Sequence, residues 1–209
     1  MPTDKYITSS CTISNGIVVK DNAVLFENKT ANAQDFLLAV YQHFRLNYPK
    51  FYKMDNLSKL GWLASEILLN DTLKAGTYPP EKIGVILANA NSSLDNDIRY
   101  YKSVEDIPSP SLFVYTLPNI AIGEICIRNN FKGEHSLFIQ DKFDAVFIER
   151  QLGYLMDKDL LDACVCGWVD LLDQEYKAVL FLVEKSKSDT SLLFSEDNIN
   201  GIFNSHGEK

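Results

Sequence analysis

The sequence predicts one α/β domain. Three features carry that expectation: apolar runs of strand length, longer stretches with apolar residues at helical spacing, and turn signals where they join. No internal repeat and no low-complexity linker divides the 209 residues, so 1–209 is expected to be a single domain, with a polar tail from about 186.

The elements follow in order. Lys5 to Ile13 is rich in β-branched residues and reads as a strand, and Asn15-Gly16 after it is a strong hairpin signal toward Ile17-Val18-Val19 and Ala23 to Phe26. Ala33 to Arg45 has helical spacing and ends before Pro49, as helices usually do. Asp55 to Leu69 is a clear amphipathic helix that Asp55 or Asn56 caps, with Leu57, Leu60, Ala64, Ile67 and Leu68 along one side. Lys82 to Ala88 is the short apolar run expected of a strand buried on both faces. Asp95 to Val104 reads as a short helix, and so does Pro118 to Cys126, with Pro near its first turn. Ser136 to Gln140 is a strand that hands directly into a helix from Asp141 to Met156. Apolar residues occupy nearly every side of that helix, the pattern of a buried one. Leu161 to Val169 and Glu175 to Lys185 complete the strands.

Composition excludes several roles. Acidic residues outnumber basic ones 28 to 20, for a net charge of −8, and no basic cluster offers a nucleic-acid surface. No apolar run approaches the roughly 18 residues that span a bilayer. The first ten residues lack the basic-then-apolar pattern of a secretory signal, so a cytoplasmic protein is expected. Cys11, Cys126, Cys164 and Cys166 lie in apolar runs and read as reduced core thiols, the last two on one face of a strand. No further ligand at zinc spacing accompanies that pair, so neither a metal nor another cofactor is expected.

The chain is organised around Ser109 to Asp170, and there it resembles a known family. SPSLFVYTLPNIAIGEICIRNNFKGE is similar to the segment before the active-site cysteine of β-ketoacyl synthases, in the thiolase-like superfamily: Ser109-Pro110, then Asn119 before a helix with Ala121 and Gly123, then a turn at Gly133. Asp162, Gly167 and Asp170 stand where that family has its Asp-x-x-x-x-Gly-Gly-x-Asp/Glu strand. Upstream, the helix MDNLSKLGWLASEILL and the strand KIGVILA resemble its Met-Asp-Arg helix and Ile-Gly-Val strand. The resemblance covers about 54–185, taken as the core. It implies a thiolase-like half: a mixed sheet with a buried central helix and helices on the outer face.

Two departures shape the functional expectation. In an active synthase the turn leads through a Thr-Ala-Cys-like motif to a cysteine at a helix start, where free N–H groups and the helix dipole favour a thiolate. Counting from Gly133 without a gap puts Lys142 at that position, preceded by Asp141, and neither supplies a thiol. Complete synthases also have a second half that brings two histidines and a lysine. The histidines here, His43, His135 and His206, lack the family's His-Gly-Thr setting, and each is read as having no chemical role.

The resemblance therefore implies a half-length, non-catalytic ketosynthase-like subunit of a bacterial fatty-acid or polyketide pathway of the aryl-polyene kind. Its partner would be a full-length β-ketoacyl synthase, with a second copy of itself as the alternative, and an acyl carrier protein is a further implied partner. Pairing in this family runs through the strand before the nucleophile, here His135 to Gln140, with His135, Leu137 and Ile139 as contact residues. Two alternatives stay open. Lys142, if buried, could lose its proton and serve an acyltransferase-type enzyme, although Asp141 and Asp144 would oppose that. A stand-alone acyl-binding or scaffold protein would use a pocket beside Phe113, Asn119, Phe143 and Phe147, aromatics that equally suit plain core.

Overall fold

The computed structural model describes residues 4–205. Its strands are β1 (Tyr6–Ser14), β2 (Ile17–Lys20), β3 (Ala23–Glu27), β4 (Ile83–Asn89), β5 (His135–Ile139), β6 (Ala163–Leu172), β7 (Glu175–Glu184) and β8 (Leu192–Leu193). The helices are α1 (Ala33–His43), α2 (Asn56–Leu69), α3 (Leu94–Val104), α4 (Pro110–Val114), α5 (Ile120–Asn129), α6 (Ala145–Asp157) and α7 (Glu196–Asn204).

All strands join one mixed sheet in the order β3-β2-β1-β7-β6-β4-β5, with β8 pairing the start of β1. β4 runs parallel to β5 and β6, and the remaining pairs are antiparallel. Asn15 and Gly16, both at positive φ (50° and 74°), make the β1–β2 turn that their identity predicts. Alternation sorts the strand side chains between two cores. Val85, Leu87, Val165 and Leu180 face one core, under α1, α2 and α5. Ile86, Cys164, Cys166, Trp168 and Phe181 face the other, under α6 and α7. The layers are thus helix, sheet, helix.

Gly167, on β6, is a strand position that requires glycine. Its φ is +142°, and a Cβ there would stand 2.1 Å from the carbonyl oxygen of Val179 on the neighbouring strand.

The structure corrects four expectations. The buried central helix is α2, not the helix after β5: twelve residues of α2 are buried, including Asn56, Ser58 and Ser65, because α1, α5 and the 3-10 turn Pro49–Lys53 cover the side that the sheet does not. α6 buries only Ala145, Ile148, Leu152 and Met156, and it turns Arg150 and Tyr154 to solvent. β5 also does not hand directly into a helix. It stops at Ile139, and α6 begins at Ala145 because Asp144 is its N-cap, its carboxylate accepting from Phe147 N at 2.9 Å. The segment from 186 is more than a polar tail. Phe194 and Ile199 are buried, and α7 closes the second core, in which Phe203 also packs. The core likewise reaches outside 54–185, taking in Cys11, Ile13, Val18 and Phe36.

Candidate functional site

The chain leaves β4 through α3–α5 on one face of the sheet, returns in β5, then crosses by α6 on the other face to β6. Helices that depart to opposite faces from adjacent parallel strands open a crevice at the carboxyl ends of those strands, the usual place for a ligand in such sheets. Here the crevice lies beyond Asn89 and Ile139, which are register partners.

Its floor is polar and tightly held. Asn89 is fully buried; its carbonyl accepts from Gln140 N at 2.8 Å and its side-chain amide donates to Ser92 O at 3.0 Å. The Asp170 carboxylate, on β6, accepts from the backbone of Ala90 (3.1 Å) and Asn91 (2.9 Å) and from the Asn91 side chain (2.7 Å), so it fixes the loop that leaves β4. Asn89 Oδ1 and Gln140 Oε1 are buried without a protein partner. Sequence reasoning placed Asp170 in a motif without giving it a task. An acid at the end of an otherwise buried strand was the available signal.

The expected site residues are spread around this crevice. Asp141 and Lys142 are exposed in the loop after β5, ahead of the helix rather than at its first turn. Lys142 is in water, so the burial on which an activated amine would depend is missing. Phe143 turns inward: its ring lies on that of Phe203 (4.0 Å, 10°) and meets Trp168 edge-on. Phe147 meets Phe138 at 4.8 Å. Phe113, by contrast, is exposed on α4 and touches Tyr100 at 5.5 Å, and Asn119 is exposed at the start of α5. The four residues assigned to an acyl pocket therefore form separate groupings, because α7 supplies Phe203 to the space beside Phe143 and α4 stands on the other core's side.

His135, Leu137 and Ile139 do lie together on β5, which is an edge of the sheet, and Ile139 is 54% exposed. His135 opens that strand, roughly 13 Å or more from the crevice end, with Nδ1 3.4 Å from Gly133 O. His43 ends α1 and packs on Phe26. His206 lies outside the described residues.

The chemistry on offer is limited. Burial pushes the Cys11 thiol up to about 12 and the Cys126 thiol up to about 11, and it raises Cys164 and Cys166 as well, so each stays protonated at neutral pH. Among the described residues, no group of three or more His, Cys, Asp or Glu is placed to hold a metal ion. No helix among them is long and apolar enough to cross a membrane. A cleft of about 630 Å³ opens elsewhere, between the ends of α1, α2 and α5, lined in part by Arg45, Glu66 and Arg128. It contains none of the expected site residues.

No protein-family model and no curated protein sequence matches the chain. Solved structures do. The ishigamide ketosynthase/chain length factor aligns at 18% identity and a TM-score of 0.63, over 87% of this chain and 62% of that one. A type II polyketide synthase acyl-carrier protein in complex with its ketosynthase aligns at 12% and 0.59, again over 87% and 62%. A ketosynthase in complex with its chain length factor from Xenorhabdus doucetiae aligns at 13% and 0.54, over 89% and 80%. The chain thus spans 62% of the length of the first two. At these identities the likeness shows the fold, which is that of the thiolase-like ketosynthases.

Proposed function

We propose that this chain is a non-catalytic, ketosynthase-like subunit that pairs with a full-length β-ketoacyl synthase along β5. The observation that carries the proposal is a ketosynthase fold in which the position expected to hold the nucleophile is an exposed lysine, Lys142, while every cysteine is buried or half-buried and has a raised pKa. A chain that keeps the scaffold without the thiol fits the role of a partner that shapes another subunit's site.

The two sheet edges support pairing at β5. β3 is interrupted by a register shift opposite Val18/Val19 and carries Glu27, devices that discourage strand addition. β5 has neither a proline nor a lysine, keeps an unbroken register with β4, and offers Leu137, Phe138 and Ile139 half-buried or exposed. The structures that align include ketosynthases with chain length factors and one with an acyl carrier protein, which supports a synthase as the partner and a carrier protein as its substrate shuttle. A bacterial, cytoplasmic polyketide pathway of the aryl-polyene kind is the setting that accords with this reading.

Affinity capture of the tagged chain from its native host, with the copurifying chains identified by mass spectrometry, tests it. A stoichiometric full-length ketosynthase is the expected result. A chain that elutes alone, or only with itself, overturns the proposal.

A further inference from the structure

One stripe of α3 lines a cleft of its own. Asp95, Ile98, Arg99 and Lys102 follow i, i+3, i+4, i+7 spacing, and all four border a cavity of about 510 Å³. The first residues of α1 and α2 and the turn between β6 and β7 complete its walls. Asp95 and Arg99 stand one turn apart, where an acid and a base ordinarily pair. They do not pair here. The Asp95 carboxylate instead accepts from Asp173 N at 3.1 Å and from the Asn56 side-chain amide at 3.5 Å. Arg99 and Lys102 are exposed, and neither joins an ion pair among the described residues.

The other walls hold unspent hydrogen-bonding groups. Asn56, the first residue of α2, is only 8% exposed, and its Oδ1 is buried without a protein partner. A buried acceptor that lacks a donor is rare in a native fold, and this one borders the cleft. At the start of α1, Asn32 Oδ1 accepts from Asp35 N (2.9 Å) and Gln174 Oε1 accepts from Ala33 N (3.0 Å). The Gln34 N–H between them has no partner among the described residues. The first turn of α1 thus keeps a donor and the positive end of its dipole for the cleft.

We infer that this cleft binds a small phosphorylated polyol of the sugar-phosphate class. Two unpaired cations match the charge of about −2 that a phosphate monoester carries at neutral pH, and the planar fork of an arginine suits its oxygens. The carboxylates of Asp95 and Asp173 would repel a bare anion set against them, but they accept from hydroxyls, as does Asn56 Oδ1. Along the helix axis Arg99 and Lys102 lie about 6 and 10 Å beyond Asp95. A ligand that meets both ends therefore carries its phosphate several bonds from its hydroxyls, as a pentose or hexose phosphate does. Ile98, 43% exposed between Asp95 and Lys102, offers an apolar surface to the C–H face of a sugar ring. No residue of β5 lines the cleft, so the site is independent of the pairing proposed above.

Calorimetric titration of the full chain tests this with a panel of triose, pentose and hexose phosphates, their parent sugars and inorganic phosphate. The expected result is saturable binding of at least one sugar phosphate with a Kd below about 1 mM. Its parent sugar and inorganic phosphate should each bind on the order of tenfold more weakly or worse. Arg99→Ala/Lys102→Ala, which changes two exposed side chains, should weaken the sugar phosphate by a similar factor, and Lys74→Ala, at an exposed lysine elsewhere, should not. No sugar phosphate bound below about 1 mM overturns the inference. So does inorganic phosphate or a parent sugar that binds as tightly, since one half of the site would then be idle. Equal binding by the double variant, or an equal loss in Lys74→Ala, overturns it as well, because the ligand would then sit elsewhere.

Discussion

The ring of Phe203 lies flat on that of Phe143, their centroids 4.0 Å apart and their planes 10° from parallel. The stack ties α7 to the loop that carries Asp141 and Lys142, and Lys177 adds its ammonium 3.8 Å from the Phe203 centroid. If α7 closes the second core, Phe203→Ala should destabilise the chain by about 2–3 kcal/mol, less than a fully buried Phe→Ala because Phe203 is only half-buried. Urea denaturation measures this, and a loss under about 0.5 kcal/mol would mean that α7 is held by other contacts.

Gly167→Ala should prevent folding. The substitution combines a φ of +142° with a Cβ 2.1 Å from Val179 O, between two central strands that cannot part without breaking the ladder. Soluble, cooperatively melting G167A protein would contradict the geometry.

Asp55 gives the fold a defined pH response. It caps α2, accepting from Ser58 N at 3.1 Å, yet only 4% of it is exposed, and burial raises its pKa to about 6. An unfolded aspartate titrates near 3.9. The folded state therefore binds this proton more readily, and the stabilisation is fully present below about pH 4 and lost as pH rises through about 6. Asp55→Asn keeps a capping oxygen and removes the titration. The wild-type chain should gain on the order of 2–3 kcal/mol relative to the variant between pH 7 and pH 4. Parallel pH profiles for the two proteins would refute a buried, titrating Asp55.

Lys142→Ala should leave stability within about 0.5 kcal/mol, as expected for an exposed loop side chain, and should not alter chain elongation by the captured complex. A marked loss of elongation would restore the lysine-dependent enzyme as a reading. The thiols make a companion case: iodoacetamide at neutral pH should label the native chain slowly at all four cysteines, and rapid labelling of any one would reveal a thiolate that burial ought to forbid.

Most of the scaffold was legible in the sequence because local patterns determine it. Asn15-Gly16 marks its turn, Asp55 its cap, and Lys82 to Ala88 reads as a strand buried on both faces because Ile83–Asn89 is one. The misreadings came from tertiary context. α2 and α6 have similar apolar content, and only the layer formed by α1 and α5 makes α2 the buried one. Asp141 and Asp144 are equally good caps by type, and the structure uses Asp144, which moved the helix start past Lys142. Phe194, Ile199, Ile202 and Phe203 reach the second core from a mostly polar stretch in which Leu192 and Leu193 stay exposed, a pattern too thin to identify without the sheet beneath it. Within the crevice, Asp170 became meaningful only when the loop after β4 was seen to hang from it.

The central claim is that β5 pairs with a ketosynthase, and hydrogen exchange of the complex captured from the native host tests it most directly. The account predicts that amides of Ser136 to Ile139 facing away from β4 exchange rapidly in the isolated chain and become strongly protected in the complex. Unchanged exchange along β5, in a complex that contains the synthase, would contradict it.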